Sequence, residues 1–305
     1  MSIVNNIIEV FKGKSFSLKE AYEVNPESNP ESVRARIYEN LGILFQKVGR
    51  GLYLTEDESV LLIEGNGRKL DSIKDNSIQL LLCDHPWDDK KSTKGGNRNF
   101  ADYETFRYTK EDFIEKARVL EDGAFLVEVL PPESATNFEY LYQIKSWAKE
   151  CGFEYYAKIP WKKGTFVSNT GRCAKNTEDI MIFSKGKARA LRPDKQRGLD
   201  ENGNPTRFMS GAKGMLPTCF DVQAVPKKER ISCSEKPVEL YKQIIEFLTN
   251  ENEIILDPFA GSGVTGEAAI ETKRKAILVE FDKEKVKNIA KRLTKTVSVK
   301  ELSFA

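Results

Sequence analysis

Three short stretches of this chain hold residues whose types and spacing could do chemistry. In EIILDPFAGSGVTGEAAI (253–270), an apolar strand ends in Asp257 and runs through Gly261, Ser262 and Gly263 into a helix. A strand, glycine turn and helix in that order bring backbone N–H groups close to a ligand at the helix N-terminus. About twenty residues later KAILVEFD ends its strand in Glu280, where a carboxylate can accept both ribose hydroxyls of a nucleoside cofactor. A nicotinamide-binding turn or a purely structural one is the alternative for the glycine string taken alone. Just upstream, Ser234, Lys236 and Pro237 open a helix that leads into the glycine strand. The third stretch, IQLLLCDHPWDD, is an apolar strand ending in Asp84, His85, Pro86 and Trp87, and His85 is the only histidine of the chain.

These strings resemble the amino-directed DNA methyltransferases. DPFAGSG is similar to that family's cofactor motif, which implies that Asp257, Pro258, Phe259, Gly261, Ser262 and Gly263, with Glu280, surround S-adenosylmethionine (SAM). The segment with Ser234 and Lys236 resembles the helix that closes over the methionine end of SAM. Asp84–Trp87 resembles the catalytic tetrapeptide, an acidic or polar residue followed by two prolines and an aromatic ring. The resemblance implies that Asp84 and the His85 carbonyl accept the two protons of an exocyclic amino group, while Trp87 stacks on a base flipped out of the duplex. Such a nitrogen is a poor nucleophile because its lone pair is delocalised into the ring. The rate gain then comes mainly from positioning and electrostatics.

The chain departs from the pattern at two places. Asn66 stands where the family's opening block often has an acidic residue, and His85 stands where the first proline is usual. The backbone carbonyl survives that second change, but the rigidity a proline gives the loop does not. Two readings stay open: an active enzyme with a tolerated variant loop, or a non-catalytic DNA-binding subunit on a degenerate methyltransferase body. His85 itself is either a general base or a solvent-facing or structural imidazole. An Asp in first position resembles adenine-directed members, so N6 of adenine in double-stranded DNA is the expected target, with N4 of cytosine as the alternative. Transfer to RNA or a protein amide is a further alternative.

The order of the strings, tetrapeptide before cofactor strand, is that of the circularly permuted beta class. It places a target-recognition region between them, and the irregular stretch 186–230 fits that place. Its Lys187, Arg189, Arg192, Lys195 and Arg197 suit phosphate contacts or the reading of guanine, unless they form only a solvated loop. The resemblance brings with it a homodimer and a cognate restriction endonuclease as candidate partners.

The elements that would position these residues follow an α/β rhythm. Apolar strands at 60–65, 78–84, 124–130, 154–161, 179–185, 253–258 and 275–280 alternate with amphipathic helices such as KEDFIEKARVL and PVELYKQIIEFLTN. A Rossmann-like sheet over residues 58–305 is expected. Residues 1–57 read as three helical stretches and a hairpin, which resembles a winged helix-turn-helix domain. That resemblance would turn Arg34, Arg36, Lys47 and Arg50 toward DNA. A capping or dimerising unit is the alternative.

Composition sets outer bounds. With 305 residues the chain can hold one sizeable domain and a small one. Five scattered cysteines without a CxxC pair suggest neither zinc nor a disulfide framework. A net charge of +2 leaves DNA contact to local patches. No apolar run is long enough to span a bilayer and no leader pattern opens the chain, so a cytoplasmic protein without membrane contact is expected.

Overall fold

The computed structural model describes the chain except for residues 1–2, 12–14, 40, 42–44, 56–59, 88–104, 165–175, 192–196, 210–215, 227, 232–233, 294–298 and 304–305.

Local capping chemistry sets the first elements. Helix α1 (Ile3–Phe11) is followed by strand β1 (Ser15–Ser17) and helix α2 (Leu18–Glu23). Ser17 and Glu20 cap α2 reciprocally: the Ser17 hydroxyl accepts the Glu20 amide at 3.2 Å, and the Glu20 carboxylate accepts the Ser17 amide at 2.7 Å. Helix α3 (Pro30–Glu39) opens on a proline, which the first turn tolerates. Strands β2 (Phe45–Gly49) and β3 (Leu52–Thr55) form a hairpin through Gly51 at φ +71°, and β1 joins the free side of β3. Ile7, Phe16, Val33, Ile37, Phe45 and Tyr53 make a small core of their own. The other face of the hairpin is not free: Val48, Leu52 and Leu54 pack with Leu61, Ile63 and Leu70 of the larger body. The Arg50 amide donates to the Ser72 carbonyl at 2.9 Å. Two cores therefore meet across a shared hairpin.

The larger body continues with β4 (Val60–Glu64), β5 (Ile78–Cys83), α4 (Lys110–Val119), β6 (Leu120–Leu130), α5 (Phe138–Glu150), β7 (Phe153–Lys162) and β8 (Thr177–Lys185). After β9 (Arg197–Leu199), β10 (Pro205–Met209) and β11 (Phe220–Asp221) come α6 (Val238–Leu248), β12 (Ile254–Asp257) and α7 (Val264–Glu271). The last elements are β13 (Lys275–Glu280), α8 (Lys283–Leu293) and β14 (Val299–Ser303). Among the described residues the main sheet has nine strands in the order β11-β7-β8-β6-β5-β12-β13-β4-β14. Strand β8 runs antiparallel to both neighbours, and the other pairings are parallel. Side chains alternate across it: Leu80 and Leu82 enter the core shared with Ile244 of α6 and Ile289 of α8, while Leu81 and Cys83 enter the one shared with Phe113 of α4 and Ile144 of α5. None of the described helices is long and apolar enough to cross a membrane.

Strands β5 and β12 lie side by side, with Leu80 opposite Ile255 and Leu81 opposite Leu256. From β5 the sheet continues to β6, and from β12 to β13 on the other side. A parallel sheet opens a crevice at the carboxyl ends of strands whose connections diverge in this way. Asp84 and Asp257 stand at its two lips.

The stretch 186–230, expected to be irregular, departs from that expectation. It contains the hairpin β9–β10 and the edge strand β11, which pairs with β7. Turn chemistry builds the hairpin: Asp200 Oδ1 accepts the amides of Asn202 and Asn204 at 2.9 and 2.8 Å, and Gly203 takes φ +80°. Such short strands carry no hydrophobic alternation, so periodicity does not register them. Strand β14, beside β4 at the opposite edge, is likewise unforeseen.

Beneath β5, Lys116 of α4 donates to Glu128 of β6 at 2.6 Å, with side chains only 4% and 0% exposed. Two charges can be buried there because each neutralises the other, and removing one partner strands the other. Lys116→Met is expected to lower the free energy of unfolding by about 3–5 kcal/mol. In urea titrations the double variant Lys116→Met/Glu128→Leu should recover most of that loss, and a single variant within roughly 0.5 kcal/mol, the scatter of surface substitutions, would refute the coupling.

Candidate active site

The crevice is a cavity of about 660 Å³ whose lining includes Asp84, Trp87, Lys236, Gly261 and Glu280. That is within the roughly 300–1,000 Å³ usual for small-molecule pockets. The three stretches picked out in the sequence therefore share one space.

Its floor is the glycine turn. Gly261 and Gly263 take φ +54° and +80°, a region that side chains with a Cβ rarely adopt. A Cβ at Gly263 would also stand 2.8 Å from Ile289 of α8. Asp257 is spent on holding this turn: its Oδ1 accepts the Phe259 amide at 3.0 Å and its Oδ2 accepts the Thr265 hydroxyl. Burial lifts its carboxyl to about 7, against those two hydrogen bonds. Glu280 accepts the Gly261 amide on one oxygen at 2.8 Å and the Asp282 amide on the other at 2.9 Å. Each oxygen keeps a second lone pair for a ligand hydroxyl. The Pro258 carbonyl closes against Gly67, where a Cβ would come within 1.7 Å. Phe259 stands 5.4 Å from Phe106 by ring centroids, forming an apolar wall. Ser262 is held through its carbonyl by Arg292 of α8 at 3.1 Å.

Across the cavity the Asp84 carboxylate accepts from Lys236 Nζ at 2.6 Å. Lys236 also pairs with Glu178 of β8 at 3.4 Å, and Glu178 pairs in turn with Lys163. Burial pulls the Lys236 ammonium down, but the carboxylates of Asp84 and Glu178 outweigh it and hold the group above the ordinary lysine range. At Asp84, burial lifts the carboxyl while Lys236 opposes that lift. Lys236 was expected among the cofactor ligands; here it also reaches the acid across the pocket, with the Ser234 carbonyl 3.4 Å behind it.

His85 does not face solvent. Its ring is 2% exposed, and burial first, then Lys116, hold it well below the ordinary histidine range. A neutral structural imidazole results, with the Pro86 carbonyl accepting the Phe106 amide at 3.2 Å just beyond it. Asn66 is exposed and its side chain accepts the Arg68 amide at 3.0 Å.

Several participants carry no sequence motif. Arg68 forks onto Asp112 at 2.7 and 2.8 Å and lies 4.8 Å over the Phe106 ring. Arg292 bonds Glu235 at 2.7 Å and Glu267 at 2.5 Å, clamping the segment before α6 to the glycine turn. Phe281, 73% exposed, stands at the rim next to Glu280. A strand-end acid followed by an aromatic was the one local cue available for the last.

Of the residues expected to meet DNA, those the structure describes do not line this cavity. Arg34 and Lys47 lie 5.4 and 5.3 Å from the centroid of the half-exposed Tyr38 ring. Arg36 is exposed and pairs with Glu39, and the Arg50 side chain is exposed at the hairpin tip. Lys187 is exposed. The Arg189 guanidinium forks onto Glu253 at 2.7 and 2.5 Å and also donates to the Leu248 carbonyl. This pairing anchors the stretch after β8 to the strand entering the site. Arg192 and Lys195 lie outside the described residues, as does the side chain of Arg197 at the start of β9.

Comparisons with known proteins bear on this arrangement. The N6/N4 family profile described as "DNA methylase" matches residues 78–292. Type II methyltransferase M.HpaI of Haemophilus parainfluenzae is 26% identical over 230 residues, 74% of this chain and 71% of that one. The structure of TTHA0409 from Thermus thermophilus in complex with SAM superposes at a TM-score of 0.54 and 20% identity, covering 79% of this chain and 99% of that one. The cytosine-N4-specific PvuII DNA methyltransferase superposes at 0.54 and 16% identity, covering 77% and 86%.

The lifted Asp257 carboxyl makes a linkage prediction. Its folded value of about 7 lies above the roughly 3.9 of an unfolded aspartate, so the native state holds an extra proton between the two. This group's contribution to stability is complete below about pH 4 and is lost as pH rises through about 7. In urea midpoints measured across that window, Asp257→Asn is expected to make the decline with pH shallower. An unchanged slope would show that Asp257 titrates at an ordinary value.

Proposed function

The chain belongs to the N6/N4 DNA methylase family of amino-methyltransferases, and on that premise we propose that it methylates the N6 amino group of adenine in double-stranded DNA, on a base flipped into the cavity. The observation that carries this reading is a partly exposed carboxylate, Asp84, facing the glycine turn across one pocket.

SAM is the cofactor, and the site suits it. Glu280 keeps acceptors for ribose hydroxyls, Phe281 offers a ring face at the rim, and the turn around Gly261 admits close approach. Ser234 and Lys236 sit where the methionine end would lie. When bound, SAM supplies a methyl carbon attached to a positively charged sulfur. The protein's own part is to present the nitrogen. Asp84 and the His85 carbonyl accept the two amino protons, which draws the lone pair out of the ring, and Trp87 stacks on the base. Lys236 favours the ionised form of Asp84 against the lift that burial gives it, and the ionised carboxylate can accept a hydrogen bond and then the proton the nitrogen sheds. Pro86 carries the turn between acid and indole. Glu178 and Lys163 complete a charge chain that holds Lys236 in place.

DNA phosphates are assigned to Arg34, Lys47, Arg50 and Lys187, and to Arg36 after it exchanges Glu39. An exposed pair such as Arg36–Glu39 exchanges easily because it contributes little stability. The fold likeness to a cytosine-N4 enzyme supports the second reading, transfer to N4 of cytosine.

Expression in a host without DNA methylation, followed by modification-sensitive sequencing, tests this directly. N6-methyladenine within one short motif is expected. Asp84→Ala should lower transfer by at least about 100-fold, the usual loss for a key hydrogen-bonding group, with SAM affinity little changed. N4-methylcytosine would establish the second reading, and SAM binding with no modified base would reject both.

A further inference from the structure

His85, the residue at which the tetrapeptide departs from its family, belongs to the cavity lining, as does Phe106, and is bound into an aromatic cluster there. Its ring lies 3.9 Å from that of Tyr108 by centroids, tilted by 35°, and 5.7 Å from Phe106. Its Nε2 is 3.2 Å from the hydroxyl of Tyr140, on α5. That hydroxyl also accepts the Tyr108 amide at 2.8 Å. With one lone pair of the phenol oxygen used in this way, the hydroxyl can donate to Nε2, which puts the imidazole proton on Nδ1, a buried atom without a partner among the described residues.

These contacts tie two segments together. Residues 105–109 run beside the tetrapeptide, through the Phe106 amide on the Pro86 carbonyl at 3.2 Å and the parallel bridge between Trp87 and Phe106. Tyr108 is held from below by the Lys116 ammonium, 3.4 Å from its ring centroid. A proline at position 85 would fix its own φ without any partner; a histidine leaves φ free, so the loop must be fixed from outside.

We propose that Tyr140 and Tyr108 are positioning residues: with the neutral His85 ring they form a clasp that holds Asp84 and Trp87 at the angle a proline would otherwise set. Helix α5, which contributes no residue to the cavity lining, thereby governs the methyl-transfer step without touching cofactor or base. This rests on the reading that Asp84 and Trp87 present the base.

Tyr140→Phe removes one oxygen and both of its hydrogen bonds. Two readouts in the full chain test the clasp: hydrogen exchange of the Phe106 amide, with the Gly261 amide as control, and single-turnover methyl transfer to DNA at saturating SAM. Tyr140→Phe is expected to speed Phe106 exchange at least about fivefold and to slow transfer about tenfold, a barrier change of about 1.4 kcal/mol. The Kd for SAM and Gly261 exchange should stay within about twofold, since the clasp acts on one lip of the cavity. His85→Ala should do more, and His85→Pro should restore part of what His85→Ala loses. Phe106 exchange and transfer within twofold of native in both Tyr140→Phe and His85→Ala would overturn the proposal, as would a parallel loss of SAM affinity, which marks general collapse. If the native protein transfers no methyl group while Phe106 exchange still responds, the clasp stands and the assigned reaction falls.

Discussion

The parallel pairing of β5 with β12 is the constraint on which the site depends. Because Leu80 and Leu81 stand opposite Ile255 and Leu256, the two strands deliver Asp84 and the glycine turn to the same edge of the sheet. Side chains alternate faces along a strand, so a slip of one residue would bury Asp84 in a core and turn an apolar neighbour to the pocket. The apolar cores on both sheet faces prevent that slip, and in this sense the packing of Leu80, Leu82, Leu81 and Cys83 is a condition of the chemistry.

Charge has to be managed once the strand ends are in place. A carboxylate drawn into a half-buried crevice tends toward its neutral form, which cannot serve as an acceptor on both oxygens. Lys236 counters this, and Glu178 and Lys163 keep Lys236 from leaving for solvent. The same logic recurs below the sheet, where Lys116 and Glu128 are buried only as a pair. That pair places a cation against Tyr108, whose ring lies 3.9 Å from that of His85 in the loop after β5. The fold thus compensates for a missing proline with side-chain contacts drawn from α4, α5 and the strap at 105–109.

Asp257 holds the turn from within. Each of its carboxylate oxygens accepts one hydrogen bond from the turn itself, from Phe259 and Thr265. Glu280 does the same from the neighbouring strand, with one oxygen on the Gly261 amide and the other on the Asp282 amide. Arg292 does comparable work from the last helix, joining Ser262, Glu235 and Glu267.

What the amino-acid string determined by itself is local. Apolar runs such as IQLLLC and KAILVE mark strands, Ser17 with Glu20 marks a helix start, and glycines at 261 and 263 mark a turn that needs positive φ, because each depends on neighbours within a few positions. The acid, proline and indole of the tetrapeptide were legible for the same reason. Tertiary structure decided the partners. Lys236 meets Asp84 across 152 positions, Arg68 meets Asp112 across 44, and His85 meets Tyr140 across 55. It also decided that Arg189 anchors to Glu253 and that the hairpin face bearing Val48 is buried. No short-range pattern specifies such pairs, since which side chains meet depends on the order in which strands are laid into the sheet, and that order is settled only when the whole core closes.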